Sequence, residues 1–457
     1  MSRVDSIKQI WQPKLVYVNG SFQPDATVAC DDEARILDVA PAGNAQNAIL
    51  LKNRALLPGL INAHSHAFQR VIRGRTEYRT ANEKDSFWTW REMMYSAALR
   101  LTPEDVYDAS RMAFLEMALS GITSVGEFHY LHHAPDGSAY DDPNLLAKEV
   151  VRAANDVGLR IALLRVAYAR SGYETEVNPQ QIRFIENDPA VYLKNLEQLG
   201  KDLGEMDITR RIAWTGVAPH SVRAVPLDYL KEVIGVANSK QLPVHMHVAE
   251  QPAEVSACIA EYGRSPVALL ATEGLLGERF TGVHVIHVTP KAIRMLADVR
   301  AMVCACPTTE RNLGDGIVPA DRFFNQGVRV SLGTDSHSEI DLLEDARELE
   351  YHLRLQKTER VVLASAEDKG QSALAARLFE CATINGAESI GFEGGKLEPG
   401  APADFFTVDL DDLSIEVEEL KEQPAGPDRE SLDKITTALD AARDAVDEIA
   451  DAESDDT

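Results

Sequence analysis

Pro58-Gly59-Leu60-Ile61-Asn62-Ala63-His64-Ser65-His66 reads as an apolar β-strand that runs into two histidines. Side chains two apart in an extended segment point the same way, so His64 and His66 can offer both imidazoles to one point. Paired imidazoles at a strand end suit a transition-metal ion.

Downstream the pattern repeats. Apolar or β-branched runs are expected as strands at 57–63, 123–129, 160–167, 212–218, 243–248, 281–287, 301–306 and 328–333. Between them lie stretches with helical apolar spacing, such as 103–120 and 226–239. Eight strand-then-helix units predict an α/β fold built on a (β/α)8 barrel. Active sites of that fold collect at the C-terminal ends of the strands. Of the 12 histidines, nine fall at or just past an expected strand end: His64, His66, His129, His220, His245, His247, His284, His287 and His337.

Upstream, Lys14-Leu-Val-Tyr-Val-Asn-Gly20 alternates and ends in a hairpin-type Asn-Gly turn. Residues 1–57 are therefore expected to begin a small β-rich accessory domain, with the barrel at 58–385 and a return to the small domain at 386–410. Residues 411–457 form an acidic tail with 17 acidic and 4 basic residues, a net −13 out of the chain's −26. Within it Leu432, Ile435, Leu439, Ala442, Val446 and Ile449 recur at helical spacing and predict an amphipathic helix with an apolar seam. A homodimer is the expected assembly.

The net charge of −26 argues against a nucleic-acid partner, because phosphate binding needs clustered Lys and Arg. No apolar run approaches 18 residues, so no membrane span is expected. Residues 1–12 lack the apolar core of a secretory signal, and the expected compartment is the cytoplasm. The five dispersed cysteines do not form a disulfide framework, and Cys304 and Cys306 read as buried strand residues.

His245-Met246-His247-Val248-Ala249-Glu250 follows the fifth expected strand, and one of its two histidines can face the ion. Glu250 lies where the chain leaves that strand and can serve as an acid/base. Asp335, past the eighth strand in Gly333-Thr334-Asp335-Ser336-His337, can bind the ion and accept a proton from water. Imidazole and carboxylate ligands with an open position suit one divalent ion, Zn²⁺ first and Fe²⁺ second.

His64-x-His66, His247, His284 and Asp335, with Glu250 three residues after His247, resemble the mononuclear deaminase branch of the amidohydrolase superfamily over about residues 15–410. The resemblance implies that His64, His66, His247 and Asp335 hold the metal. It implies a hydrogen-bonding, electrophilic role for His284 rather than ligation. Glu250, His284 and Asp335 would then form the catalytic set.

Four local stretches are similar to the formimidoylglutamate deiminase family. They are Ser86-Phe87-Trp88-Thr89-Trp90-Arg91, Glu127-Phe128-His129-Tyr130, Ala218-Pro219-His220-Ser221-Val222-Arg223 and the run from Cys306 to Gly316. That resemblance implies hydrolysis of N-formimino-L-glutamate to N-formyl-L-glutamate and ammonia, a step of histidine degradation. It implies Arg91 and Arg223 on the carboxylates of a small dicarboxylate amidine, with Gln69, Tyr130 and His220 as further substrate contacts. Trp88 and Trp90 would pack a loop that presents Arg91. The competing expectation is a deaminase of a purine, pyrimidine or triazine ring.

Overall fold

A computed structural model describes residues 7–42, 47–79, 86–206, 212–365, 370 and 372–412. The tail helix expected at 430–452 lies outside the described residues.

The chain first builds a small sheet from β1 (Gln9–Val18), β2 (Ser21–Pro24), β3 (Ala26–Cys30), β4 (Ile36–Pro41) and β5 (Ile49–Pro58). The β1–β2 turn is the expected Asn19-Gly20, with φ of +50° and +80°. Both values suit a twist-matched two-residue hairpin. Barrel strands follow: β6 (Leu60–Ser65), β7 (Ile122–His129), β8 (Arg160–Ala167), β9 (Ala213–Pro219), β10 (Val244–Val248), β11 (Phe280–His284), β12 (Met302–Ala305) and β13 (Val330–Leu332). They form one parallel sheet in chain order, as a (β/α)8 barrel requires. Finally β14 (Phe405–Asp409) returns to pair antiparallel with β5, Phe406 opposite Leu57.

Two expected strand limits are corrected. Leu57 belongs to β5 of the small sheet rather than to the first barrel strand. The chain changes sheet at Pro58-Gly59, where Gly59 N–H donates to Asp404 O at 2.9 Å. The run expected at 281–287 stops at His284, because His284 and Val285 take φ of +69° and +54° and leave the extended region.

Closure of the barrel brings β6 beside the segment after β13. Ser65 and Asp335 form an isolated parallel bridge. Asn62 stitches the seam from inside: its Nδ2 donates to Thr334 Oγ1 at 2.7 Å, and its Oδ1 accepts from Thr334 N at 3.0 Å. A side chain at Gly333 would place its Cβ 2.7 Å from His64 Cβ, so only glycine lets the last strand approach the first this closely. The barrel core is a continuous apolar cluster including Leu60, Val125, Leu163, Val217, Met246, Val283, Val303 and Leu332, all fully buried.

Helices α1 (Phe87–Ala98), α2 (Pro103–Leu119) and α3 (Leu145–Val157) follow the first two barrel strands. α2 starts at Thr102, whose Oγ1 accepts from Asp105 N while Asp105 bonds back to Thr102 N, a reciprocal cap with Pro103 at the first helical position. No helix among the described residues is long and apolar enough to cross a membrane.

Candidate metal centre and pocket

Four ligand-type side chains meet at the C-terminal mouth of the barrel. His64 lies on β6, His66 just past it, His247 on β10 and Asp335 past β13. Their candidate ligand atoms all lie within 4.8 Å of one another. His64 Nε2 and His66 Nε2 are 3.2 Å apart, and Asp335 Oδ1 is 3.4 and 3.1 Å from them. Ligands about 2.0–2.1 Å from a tetrahedral ion stand about 3.3 Å from each other, so the cluster fits one divalent ion at its centre.

Neighbouring carbonyls set the rings. His66 Nδ1 bonds Phe128 O at 3.0 Å and His247 Nδ1 bonds His220 O at 3.2 Å. Each leaves its Nε2 lone pair for the centre. Burial pushes His64 down to about 3 and His247 well below the usual imidazole range. Both therefore stay neutral, the form a metal requires. Burial opposes ionisation of Asp335, but the surrounding His64, His66 and His284 rings outweigh it and hold the carboxyl well below the usual range.

Asp335 sits at φ +46°, a conformation costly for a residue with a Cβ. The barrel seam holds it there: His66 N donates to Asp335 O at 3.1 Å and Asp335 N to His64 O at 3.0 Å.

His284 and Glu250 flank the cluster. His284 Nε2 is 3.6 Å from Glu250 Oε1 and 3.7 Å from Asp335 Oδ2, while its Nδ1 bonds Glu310 at 3.1 Å. Burial would strip the proton from His284, but Glu250 and Glu310 outweigh it and raise the ring well above its usual range. Burial pushes Glu250 up to about 7. The turn carrying Glu250 is tied by Glu254, which accepts from Ala249 N and Glu250 N at 3.1 Å each.

The five residues expected at the substrate, Gln69, Arg91, Tyr130, His220 and Arg223, line one pocket with His66, His247, Glu250 and Asp335. Arg91 is carried on α1, which corrects the expectation of a presenting loop. Ser86 caps that helix through a reciprocal bond with Thr89, so the stretch had a helix-start signal. Trp88 stacks under Arg91, with the guanidinium 4.3 Å from the ring centroid, and Trp90 lines the pocket. Arg91 Nε and Nη1, Arg223 Nη1 and Gln69 Oε1 are buried without hydrogen-bond partners among the described residues. Unpaired buried donors and acceptors are expensive, so such atoms mark where a ligand bonds.

Not all nine strand-end histidines join the centre. His245 points away, bonding Ser389 O at 2.8 Å, and His287 bonds Asp315 O at 2.9 Å. His337 lies behind the ligands, 3.1 Å from both Ser65 Oγ and Thr334 Oγ1.

Several residues of the site went unnoticed in the sequence. Glu127 bonds Ser65 Oγ and accepts from Ala67 N at 2.8 Å, which locks the segment carrying His66. Burial pushes that carboxyl up to about 8. Glu127 and Glu310 both lie inside the motifs quoted above. Tyr95 stands one helical turn after Arg91 on the same face, and Tyr168 lies just past β8. Helix spacing and the strand-end rule were the signals for those two.

Comparison with known proteins agrees with this geometry. Residues 55–441 match the model of the amidohydrolase family. The chain is 38% identical over 378 residues to formimidoylglutamate deiminase of Pseudomonas aeruginosa, covering 82% of this chain and 81% of that protein. It is 30% identical over 378 residues to a 5-methylthioadenosine/S-adenosylhomocysteine deaminase of Syntrophomonas wolfei, covering 81% and 77%. An amidohydrolase structure from Brucella melitensis superposes with a TM-score of 0.79 at 34% identity, over 87% of this chain and 86% of that one.

Proposed function

We propose that this chain, which belongs to the amidohydrolase family, hydrolyses the C=N carbon of N-formimino-L-glutamate, releasing ammonia and N-formyl-L-glutamate. One observation carries the reading: two arginines with unspent buried donors share a pocket with the candidate metal centre. A guanidinium fork matches a carboxylate, and this substrate has two. The 38% identity to the P. aeruginosa deiminase supports the same substrate.

The family chemistry is metal-dependent hydrolysis of C–N bonds. His64, His66, His247 and Asp335 would hold a divalent ion, Zn²⁺ by preference and Fe²⁺ as second choice, which would supply hydroxide from water near neutral pH. Asp335 accepts the proton that the water gives up. Arg91 and Arg223 anchor the carboxylates and place the formimino carbon above the cluster, with Gln69, Tyr130 and His220 completing the contacts. His284 donates a hydrogen bond to the oxygen added to that carbon, where negative charge develops. Glu250, poised near neutrality, carries both protons of the attacking water to the departing nitrogen, one by way of Asp335 and one from the added hydroxyl. Ammonia leaves and the formyl product remains.

A ring deaminase is the second reading, favoured by the S. wolfei relative and by Phe87, Trp90, Tyr95 and Phe184 in the pocket wall. Ammonia release by metal-replete protein separates the two. Turnover of N-formimino-L-glutamate with none of 5′-methylthioadenosine is expected, and the opposite preference overturns the named substrate.

A further inference from the structure

Behind the pocket a single amide joins two of its tyrosines. Gln181 Nε2 donates to Tyr95 Oη at 2.6 Å and to Tyr168 Oη at 2.9 Å. All three side chains are almost completely buried, and both phenols line the pocket while Gln181 stands behind them. A primary amide nitrogen has two N–H donors, and here each serves one phenol. Each phenol oxygen therefore accepts on the side of Gln181. Its own O–H proton is left over, and Gln181 Oε1 is itself buried without a partner among the described residues.

The direction in which those protons turn follows from what surrounds them. Arg91 passes its guanidinium 5.4 Å from the Tyr95 ring centroid, and Arg223 donates a hydrogen bond to the Tyr168 oxygen, while its Nη1 stays unpaired. Arginines cannot accept a hydrogen bond. The phenol protons and the guanidinium donors left unpaired on Arg91 and Arg223 thus share one pocket. Gln181 is held firmly enough to impose this. It closes a short turn, Pro179–Gln181, whose start is capped by Asn178 Oδ1 accepting from Gln180 N at 2.9 Å. The next turn is tied as well, with Phe184 N donating to Gln181 O at 2.9 Å.

We propose that Gln181 is a positioning residue that commits Tyr95 and Tyr168 to act as donors, completing with Arg91 and Arg223 an all-donor cage for the carboxylates of the substrate. This rests on the dicarboxylate reading above and deepens it: specificity for an anion comes from two neutral donors as well as two charges. An uncharged ring substrate carries no carboxylate to satisfy four converging donors, and leaving them unpaired in a buried site is costly.

The test uses the metal-replete full chain, with turnover of N-formimino-L-glutamate and binding of glutarate, a dicarboxylate without a scissile group. Gln181→Glu replaces the double donor with an acceptor that draws both phenol protons away from the ligand. KM and the glutarate Kd should each rise by about 100-fold, because two hydrogen bonds to a charged group are lost and a like charge is added. Gln181→Met keeps the volume without either donor and should raise KM about tenfold. Tyr95→Phe and Tyr168→Phe should each do the same with metal content unchanged. On the double-Phe background Gln181→Met should add nothing, which a packing role would not produce. If Gln181→Met costs as much on that background as in wild type, or if the Phe variants keep normal KM, the cage is overturned. The Phe variants decide the matter if the Gln181 variants do not fold. Failure of the substrate reading looks different. Wild type would bind glutarate in a Gln181-dependent way yet release no ammonia from N-formimino-L-glutamate.

Discussion

His66 Nε2 stands 3.1 Å from Asp335 Oδ1, although one follows the first barrel strand and the other the last. Only closure of the sheet brings them together, and their backbones are paired at the seam as well. The metal centre and the closure of the barrel are therefore one structural event.

Asp335→Asn keeps the size of the side chain and removes its charge. Bound divalent metal, measured by elemental analysis, should fall from about one ion per chain, and kcat should drop by at least about 100-fold as a ligand and a proton acceptor go together. A variant that keeps full metal occupancy and rate would remove Asp335 from the centre.

Glu250→Gln separates proton transfer from metal binding. Glu250 lies beside His284 rather than within the ligand cluster, so metal content should stay at the wild-type level. Turnover should fall on the order of 100-fold or more, the usual worth of a positioned acid/base. Rate and metal content measured on the same preparation decide it, and an unimpaired kcat would refute the assigned role.

Arg91→Met and Arg223→Met keep the apolar stem and delete the donor fork. Each should lower kcat/KM for N-formimino-L-glutamate by roughly 100-fold, as expected for a lost charge-assisted contact. With a formimino substrate bearing only one carboxylate, one of the two variants should lose little more than wild type has already lost. Equal losses with both substrates would show that the arginines act through the fold instead.

Acid stability should follow a second buried pair. Arg165 on β8 is fully buried and bonds Glu186, Nη2 to Oε1 at 3.0 Å, with Asn195 adding a bond at 2.8 Å. Burial opposes ionisation of Glu186, but His132 and Arg165 overcome it and hold the carboxyl at about 2 against an ordinary 4.5. Because the folded value lies below the unfolded one, the stabilisation is complete above the unfolded value and is lost as pH falls from there towards 2. Glu186→Gln should cost about 3 kcal/mol near neutrality by leaving Arg165 buried and unpaired. The gap in Tm between wild type and variant should narrow as pH falls to about 3. A gap independent of pH would mean that Glu186 contributes by shape alone.

The barrel was legible in the sequence because each of its units carries its own local signal. β-branched runs, helical spacing and histidines at strand ends are properties of short segments, and eight in a row imply one architecture. His64 and His66 were readable for the same reason, since two residues on one strand face share a direction whatever the rest of the chain does. Resemblance supplied the roles of His247, His284, Asp335, Arg91 and Arg223. Local pattern could not separate His247 from His245, which both lie on β10 and differ only in what the folded barrel places beside them. Tertiary structure alone gave His245 to Ser389 O and His247 to the centre, and set Glu310 behind His284. It alone brought Gln181, from a turn with no motif, between two tyrosines carried by different elements. Contacts of this kind depend on where distant segments lie after the sheet closes, and one chain's local preferences carry no record of that distance.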